Sequence, residues 1–154
     1  MKIILLISIV LLFFGCGNTN NVAKNPPLVN LIVQQDKYSL IFKHQFYNNF
    51  ETFDKNLAKF IVETNLSFNK SDALSDNGNN SLNIIKGTVD FKILNKLNSK
   101  IIKTGRISSS INTGSVSSLY SVDQNINFAK ERIAKYLASK LYRKILLNTY
   151  TSEN

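Results

Sequence analysis

The stretch 82–111, LNIIKGTVDFKILNKLNSKIIKTGRISSSI, decides the fold. Leu82 and Ile84 share one phase, and Val89, Phe91 and Ile93 take the opposite one, each with the period of two that marks a strand. Gly87 lies between the two sets, where a bulge is expected to restore the facing. Leu97-Asn98-Ser99 reads as a turn, and Ile101, Ile107 and Ile111 continue the odd phase beyond it. For those isoleucines to share a face with Val89 and Phe91, paired residue numbers must sum to an even number. A two-residue Asn98-Ser99 turn gives an odd sum, so a three-residue loop or a bulge is expected in this hairpin. With a sum of 196 the other face carries Asp90, Lys92, Lys96, Lys100, Thr104 and Arg106, four cations to one acid. Like charges placed opposite, such as Lys96 and Lys100, are unfavourable unless solvated or matched by an anion.

Toward the C-terminus, Gly114 to Tyr120 is a Ser-rich linker or strand end. Ser121 to Gln124 matches a capping box, with Asp123 a second candidate cap, and a long helix is expected from there to about Asn148. Its apolar stripe is Ala129, Ile133, Leu137, Leu141 and Ile145, and Ala134 and Ala138 beside it suit a helix lying close on a sheet. Toward the N-terminus, Lys37 to Tyr47 alternates, with Tyr38, Leu40, Phe42, His44 and Phe46 on one face, and reads as a strand. His44 on that face is read as a hydrogen-bonded rim or core histidine. Phe50 to Glu63 carries Phe53, Leu57, Phe60 and Ile61 at helical spacing. Val62 to Phe68 is expected as a following strand, and Asn69 to Ser81 as a long loop.

The first sixteen residues form a separate unit. Lys2 precedes Ile3 to Phe14, apolar except for Ser8, and then Gly15-Cys16. Twelve helical residues span about 18 Å, short of the roughly 30 Å hydrocarbon core, so this reads as a secretory signal and not a membrane span. A buried strand is the competing reading, but it leaves the basic start, the small residue and the cysteine unexplained. The segment resembles a bacterial lipoprotein signal, departing from it in bulky Phe13 and Phe14. That resemblance implies a signal peptide over 1–15 and a covalent N-acyl diacylglycerol on Cys16. Gly17 in place of Asp then suggests an outer-membrane address. A plain secretory signal is the alternative. Residues 16–27 are polar and close with Pro26-Pro27, a tether in front of a domain expected over 28–148, with 149–154 as a tail.

The chain has 154 residues, one Cys, one His and no Trp, with 19 Lys and Arg against 10 acids. One thiol and one imidazole exclude an intrachain disulfide scaffold and a Cys/His zinc site. No spacing pairs a nucleophile with a base, so no enzyme, metal or cofactor is expected. Residues 17–85 hold six cations and six anions, whereas 86–144 hold twelve and three. The cationic half is either a Lys-rich solvated surface or a site for a phosphate- or carboxylate-bearing partner. An exported protein rarely meets nucleic acid, so lipopolysaccharide or anionic lipid is the expected polyanion.

The order strand, helix, strand, loop, long hairpin, long helix behind such a signal resembles the LptE family of lipopolysaccharide-assembly lipoproteins, in its short alphaproteobacterial form. The likeness is carried by GTVDFKI (87–93), KIIKTGRI (100–107) and SSLYSVDQNINFAKERIAKYLASKLYRKIL (117–146). It implies one α+β domain, with two helices packed on a four-stranded mixed sheet. It also implies a non-catalytic role as a plug inside the outer-membrane β-barrel LptD, on the periplasmic face, helping to place lipopolysaccharide in the outer leaflet. The residues expected to meet its phosphates, taken from the face pattern, are Lys92, Lys96, Lys100 and Arg106, with Lys86 and Lys103 behind them. The alternative function is an envelope structural or regulatory lipoprotein that binds a peptidoglycan enzyme or a secretion-system component.

Overall fold

Six elements follow one another: β1 (Val29–Ile32), α1 (Lys37–Tyr47), β2 (Phe60–Leu74), β3 (Ser81–Asn95), β4 (Ile101–Thr113) and α2 (Leu119–Tyr150). The computed structural model describes residues 29–50, 57–74, 81–114 and 118–150. The expected signal peptide, the tether with Cys16, and residues 151–154 of the expected tail lie outside the described residues. The strands form one sheet in the order β1-β2-β3-β4. β1 runs parallel to β2 and the other neighbours are antiparallel, so the sheet is mixed. Both helices lie on one face, giving the expected α+β architecture.

Residues 37–47 form a helix and not the expected strand. Asp36 caps it, its Oδ1 accepting from the amides of Tyr38 and Ser39 at 3.0 Å each. Tyr38, Phe42 and Phe46 are four apart, a spacing that satisfies a strand face and a helix stripe equally. Phe42 and Phe46 are fully buried, while Leu40 and His44, which a strand would place beside them, are exposed. His44 is a rim histidine, within 3.3 Å of the Asn48 amide nitrogen.

The helix expected over 50–63 is also replaced. Phe60 to Glu63 belong to β2, pairing with β1 from Val29↔Phe60 to Ile32↔Glu63, and residues 51–56 lie outside the described set. Asn69 to Leu74, expected in a loop, extend β2 to its pairing with β3 at Leu74↔Ser81. Cross-strand backbone pairing makes a strand of this polar segment, which has almost no apolar signal of its own. The intervening 75–80 lie outside the described residues.

In the second hairpin the pairing runs from Asn83↔Thr113 to Ile93↔Lys103, the expected sum of 196, and shifts at Leu94↔Ile101. The irregularity sits beside the turn. At Gly87 the register is unbroken on both sides, so the expected bulge is absent there. Gly87 instead admits the long helix: a Cβ built on it would stand 2.3 Å from Cγ2 of Ile133. Gly105 makes room for a neighbour within the sheet, the ring of Phe91, its cross-strand partner.

α2 begins at Leu119, earlier than expected. Ser118 caps it, accepting from the Ser121 amide at 3.2 Å through its hydroxyl and from the Val122 amide at 3.1 Å through its carbonyl. Ser121 and Asp123 lie within the helix. The expected stripe of Ala129, Ile133, Leu137, Leu141 and Ile145 is buried, with Ala134 and Ala138. It packs on Ile85, Val89, Phe91, Ile93 and Ile107, while Phe42 and Phe46 close the core beside Val29, Leu31 and Val62. Burying a side chain of this size is worth about 1.5–3 kcal/mol, so this layer dominates the stability.

Tyr142 ties the helices together, its ring 4.9 Å from that of Phe50 and 6.2 Å from that of Phe46. At the α1 N-terminus the Tyr38 hydroxyl donates to Asn127 Oδ1 at 2.7 Å, and Lys37 meets Glu131 at 3.0 Å. The Leu31 amide donates to the Tyr47 hydroxyl at 2.8 Å, which satisfies a donor on edge strand β1. Among the described residues, no helix is long and apolar enough to cross a membrane.

Candidate cationic face and hairpin tip

The helices cover one face of the sheet and leave the other open, so the alternation of β3 and β4 sorts their charged residues. Even-numbered residues of β3 face away from the core, and the register places Arg106 opposite Asp90 and Thr104 opposite Lys92. On the far side of β3, Lys92 lies opposite Glu63 and Lys86 opposite Asn69. Lys86, Lys92 and Arg106 therefore do share the open face.

Two of these cations have carboxylates across the strands. Arg106 Nε and Nη2 donate to the two oxygens of Asp90 at 2.6 and 3.3 Å. Lys92 Nζ stands 3.5 Å from Glu63 Oε2. These exposed pairs contribute little to stability, but they offset part of the positive charge on this face. The expected face pattern held Asp90 and Arg106 on one side without pairing them; Glu63 arrives from β2, which the expected helix over 50–63 had removed from the sheet.

Lys96 and Lys100 lie elsewhere than expected. The register shift at Leu94 places Lys100 beside Asn95, whose amide donates to the Lys100 carbonyl at 3.0 Å, so the two lysines are not cross-strand partners. Both belong to the turn, which its asparagines hold. Asn95 Oδ1 accepts from the Leu97 amide at 2.9 Å, Asn98 Oδ1 accepts from the Lys100 amide at 3.0 Å, and Ser99 takes a left-handed φ of 54°. Lys103 pairs with Ile93, on the helix-bearing side, and is exposed. The six candidates thus divide into Lys86, Lys92 and Arg106 on the open face and Lys96, Lys100 and Lys103 around the hairpin tip.

Several cations of α2 have structural work. Lys140 Nζ donates to the Ser108 carbonyl of β4 at 3.2 Å. Lys144 lies 5.6 Å above the ring of Phe91, and Lys130 5.5 Å from that of Tyr38. Part of the positive excess is thus spent on the edge of the sheet and on aromatic faces. The described residues hold no group of three or more His, Cys, Asp and Glu placed to bind a metal.

Ile101, expected on the core face with Ile107 and Ile111, instead pairs with Leu94 beyond the register shift and joins exposed aliphatic residues at the same tip. Leu97 is 96% exposed, Ile101 52% and Ile102 44%. Their signal was present in the run KLNSKIIK (96–103), where aliphatic residues alternate with lysines in a segment without acids.

Neither protein-family models nor curated proteins give a match to the chain. Solved structures do. A candidate lipoprotein from Caulobacter crescentus superposes with a TM-score of 0.62 at 18% identity, covering 82% of this chain and 92% of that one. A minor lipoprotein from Acinetobacter baumannii gives 0.61 at 14% identity, over 81% and 94%. Rare lipoprotein B from Shewanella oneidensis gives 0.63 at 10% identity, over 82% and 98%. The chain has the fold of these lipoproteins. At such identities the likeness is one of fold, and it covers the two-helix, four-strand domain nearly end to end.

Proposed function

We propose that this protein is a lipid-anchored envelope lipoprotein of lipopolysaccharide assembly, held by an N-acyl diacylglycerol on Cys16 at the periplasmic face of the outer membrane. It acts without catalysis or a cofactor, as the LptE-like partner of an LptD-type β-barrel. The observation that carries the reading is the shared fold with rare lipoprotein B over nearly all of that protein, in a chain that opens with a lipoprotein-type signal ending in Gly15-Cys16. The candidates for lipid A phosphates are Lys86, Lys92, Lys96, Lys100, Lys103 and Arg106, exposed or half-buried cations of the second hairpin. Lys92 and Arg106 must first give up Glu63 and Asp90.

The test is a mild-detergent pull-down of the tagged full-length protein from its own membranes, with partners identified by mass spectrometry. Recovery of a large β-barrel in near-equal amount is expected. Recovery of a peptidoglycan synthase or secretion-system component instead would replace this reading with a structural or regulatory envelope role.

A further inference from the structure

The tip of the second hairpin and the N-terminal end of the domain lie side by side. β1 begins at Val29, which pairs with Phe60, and Phe60 pairs with Asn95, the last residue of β3. The turn that follows is bound to the same corner, the Lys96 amide donating to the Lys59 carbonyl at 3.0 Å. The chain thus enters the sheet at the end from which Leu97 projects. The opposite end is far away, because a strand of 15 residues, the length of β3, spans about 50 Å.

We infer that this tip is a second membrane contact: Leu97, Ile101 and Ile102 dip into the anionic phospholipid leaflet that holds the anchor, and Lys96, Lys100 and Lys103 meet its headgroup phosphates. The inference rests on the anchored-lipoprotein reading and not on the assignment of lipopolysaccharide or a barrel. Three observations carry it.

First, the tip is amphipathic in the sense an interface requires, with aliphatic side chains at the apex and cations around them. Leu97, Ile101 and Ile102 pack on nothing that buries them. Second, the charge is of one sign: from Phe91 to Val122 the sequence has no Asp or Glu. Bilayer phosphate complements this, whereas an acid-poor or purely apolar partner does not. Third, only twelve residues separate Cys16 from Val29. A chain that long reaches at most about 45 Å when fully extended, so the corner bearing the tip cannot lie farther than that from the anchor. The asparagine-locked turn adds that the apex is held in place and loses little order on insertion. With the acyl chains already retaining the protein, the tip sets the orientation of the domain on the leaflet, not its residence there.

The chain has no Trp, so Leu97→Trp places a single reporter at the apex, at a position too exposed to disturb folding. The full-length gene is expressed, the processed protein is extracted, and its Cys16 acylation is read by mass spectrometry. It is then reconstituted into phosphatidylcholine vesicles with and without phosphatidylglycerol. The expected result is a blue-shifted emission that brominated acyl chains quench, in the anionic vesicles. In the same background, Lys100→Gln with Lys103→Gln lowers the ratio of inserted to free tips about fivefold for each lysine replaced.

A water-exposed emission in both vesicle types, on protein shown to be acylated, overturns the inference and leaves the anchor standing. So does a shift that appears only when lipopolysaccharide is added. Quenching by brominated phospholipid on protein that proves unacylated supports the tip contact and sinks the anchor instead.

Discussion

Gly87→Ala tests how closely α2 sits on the sheet. In an ordinary strand the change is favourable by about 0.5–1 kcal/mol, because glycine loses more backbone freedom on folding. The backbone of Gly87 lies outside the left-handed region, so that gain is open to alanine here. The space is not. The new Cβ would stand 2.3 Å from Ile133 Cγ2, 3.2 Å from Phe68 Cε1 and 3.3 Å from Leu137 Cδ1. The Ile133 methyl is one bond from the Cβ of a β-branched residue on a helix, where a single χ1 rotamer dominates, so it cannot swing aside. Relief requires the helix to lift from a core in which Ile133 and Leu137 are fully buried.

Overpacking of this kind costs about 1–3 kcal/mol. Set against the backbone gain, Gly87→Ala should destabilise by roughly 0.5–2 kcal/mol, read as a lower urea midpoint with an unchanged slope. Ile133→Ala alone leaves a cavity and costs about 2–5 kcal/mol. In the Gly87→Ala background it should cost at least about 1 kcal/mol less, since it removes the clashing methyl and the new Cβ fills part of the hole. Ile133→Val, which keeps that methyl, should show no such relief. A Gly87→Ala variant as stable as the parent, or strict additivity with Ile133→Ala, would refute the close approach.

Other expectations follow from single contacts. Asp36→Ala removes the α1 cap and should cost about 1 kcal/mol in equilibrium unfolding. Burial is the largest single influence on the Asp36 carboxyl and pushes its pKa up, but the hydrogen bonds it accepts, those from the Ser39 and Tyr38 amides among them, together outweigh it and hold the pKa below the ordinary 3.8. A depressed carboxyl stabilises above its unfolded value, so this contribution is full above about pH 4 and is lost as the pH falls through the folded pKa; a variant lacking Asp36 should show correspondingly less acid sensitivity. Tyr47→Phe strands the Leu31 amide on the β1 edge and should cost about 1–3 kcal/mol, whereas an unchanged midpoint would mean that water replaces the hydroxyl. Arg106→Gln, in a pair whose side chains are 72% and 46% exposed, should leave the urea midpoint almost unmoved. Reversing Lys96 and Lys100 together to Glu should weaken binding of lipopolysaccharide, measured on immobilised protein, with the far-ultraviolet spectrum unchanged; equal binding would remove these two residues from the proposed site.

The second hairpin and the long helix were legible because each signal there is long and singly periodic. The even register sum followed from matching isoleucine phases across the turn, and the structure keeps it as far as Ile93. The position of the irregularity was not legible, because a glycine inside a strand marks a bulge or a close neighbour, and only α2 shows that Gly87 has the neighbour. The error over 37–47 has the same root. Residues four apart fit both periods, and the cap that distinguishes them, Asp36, lies one residue before the alternation begins. The polar end of β2 is a strand because β3 supplies the partners for its backbone.

At the candidate site, sequence alone determined which residues are charged, that the acids stop at Asp90 until Asp123, and that a basic start, an apolar run and Gly15-Cys16 precede the domain. Those are properties of composition and order, and no packing alters them. Which cations stand together was decided by tertiary structure. The shifted pairing next to the turn separates Lys96 from Lys100, and β2 brings Glu63 to Lys92 from about thirty residues away in the chain. The parallel strand β1 sets the entry of the chain beside the hairpin tip. The first depends on the geometry of a turn, and the other two on backbone pairing between segments remote in sequence, whose partners are chosen by the burial of a common core.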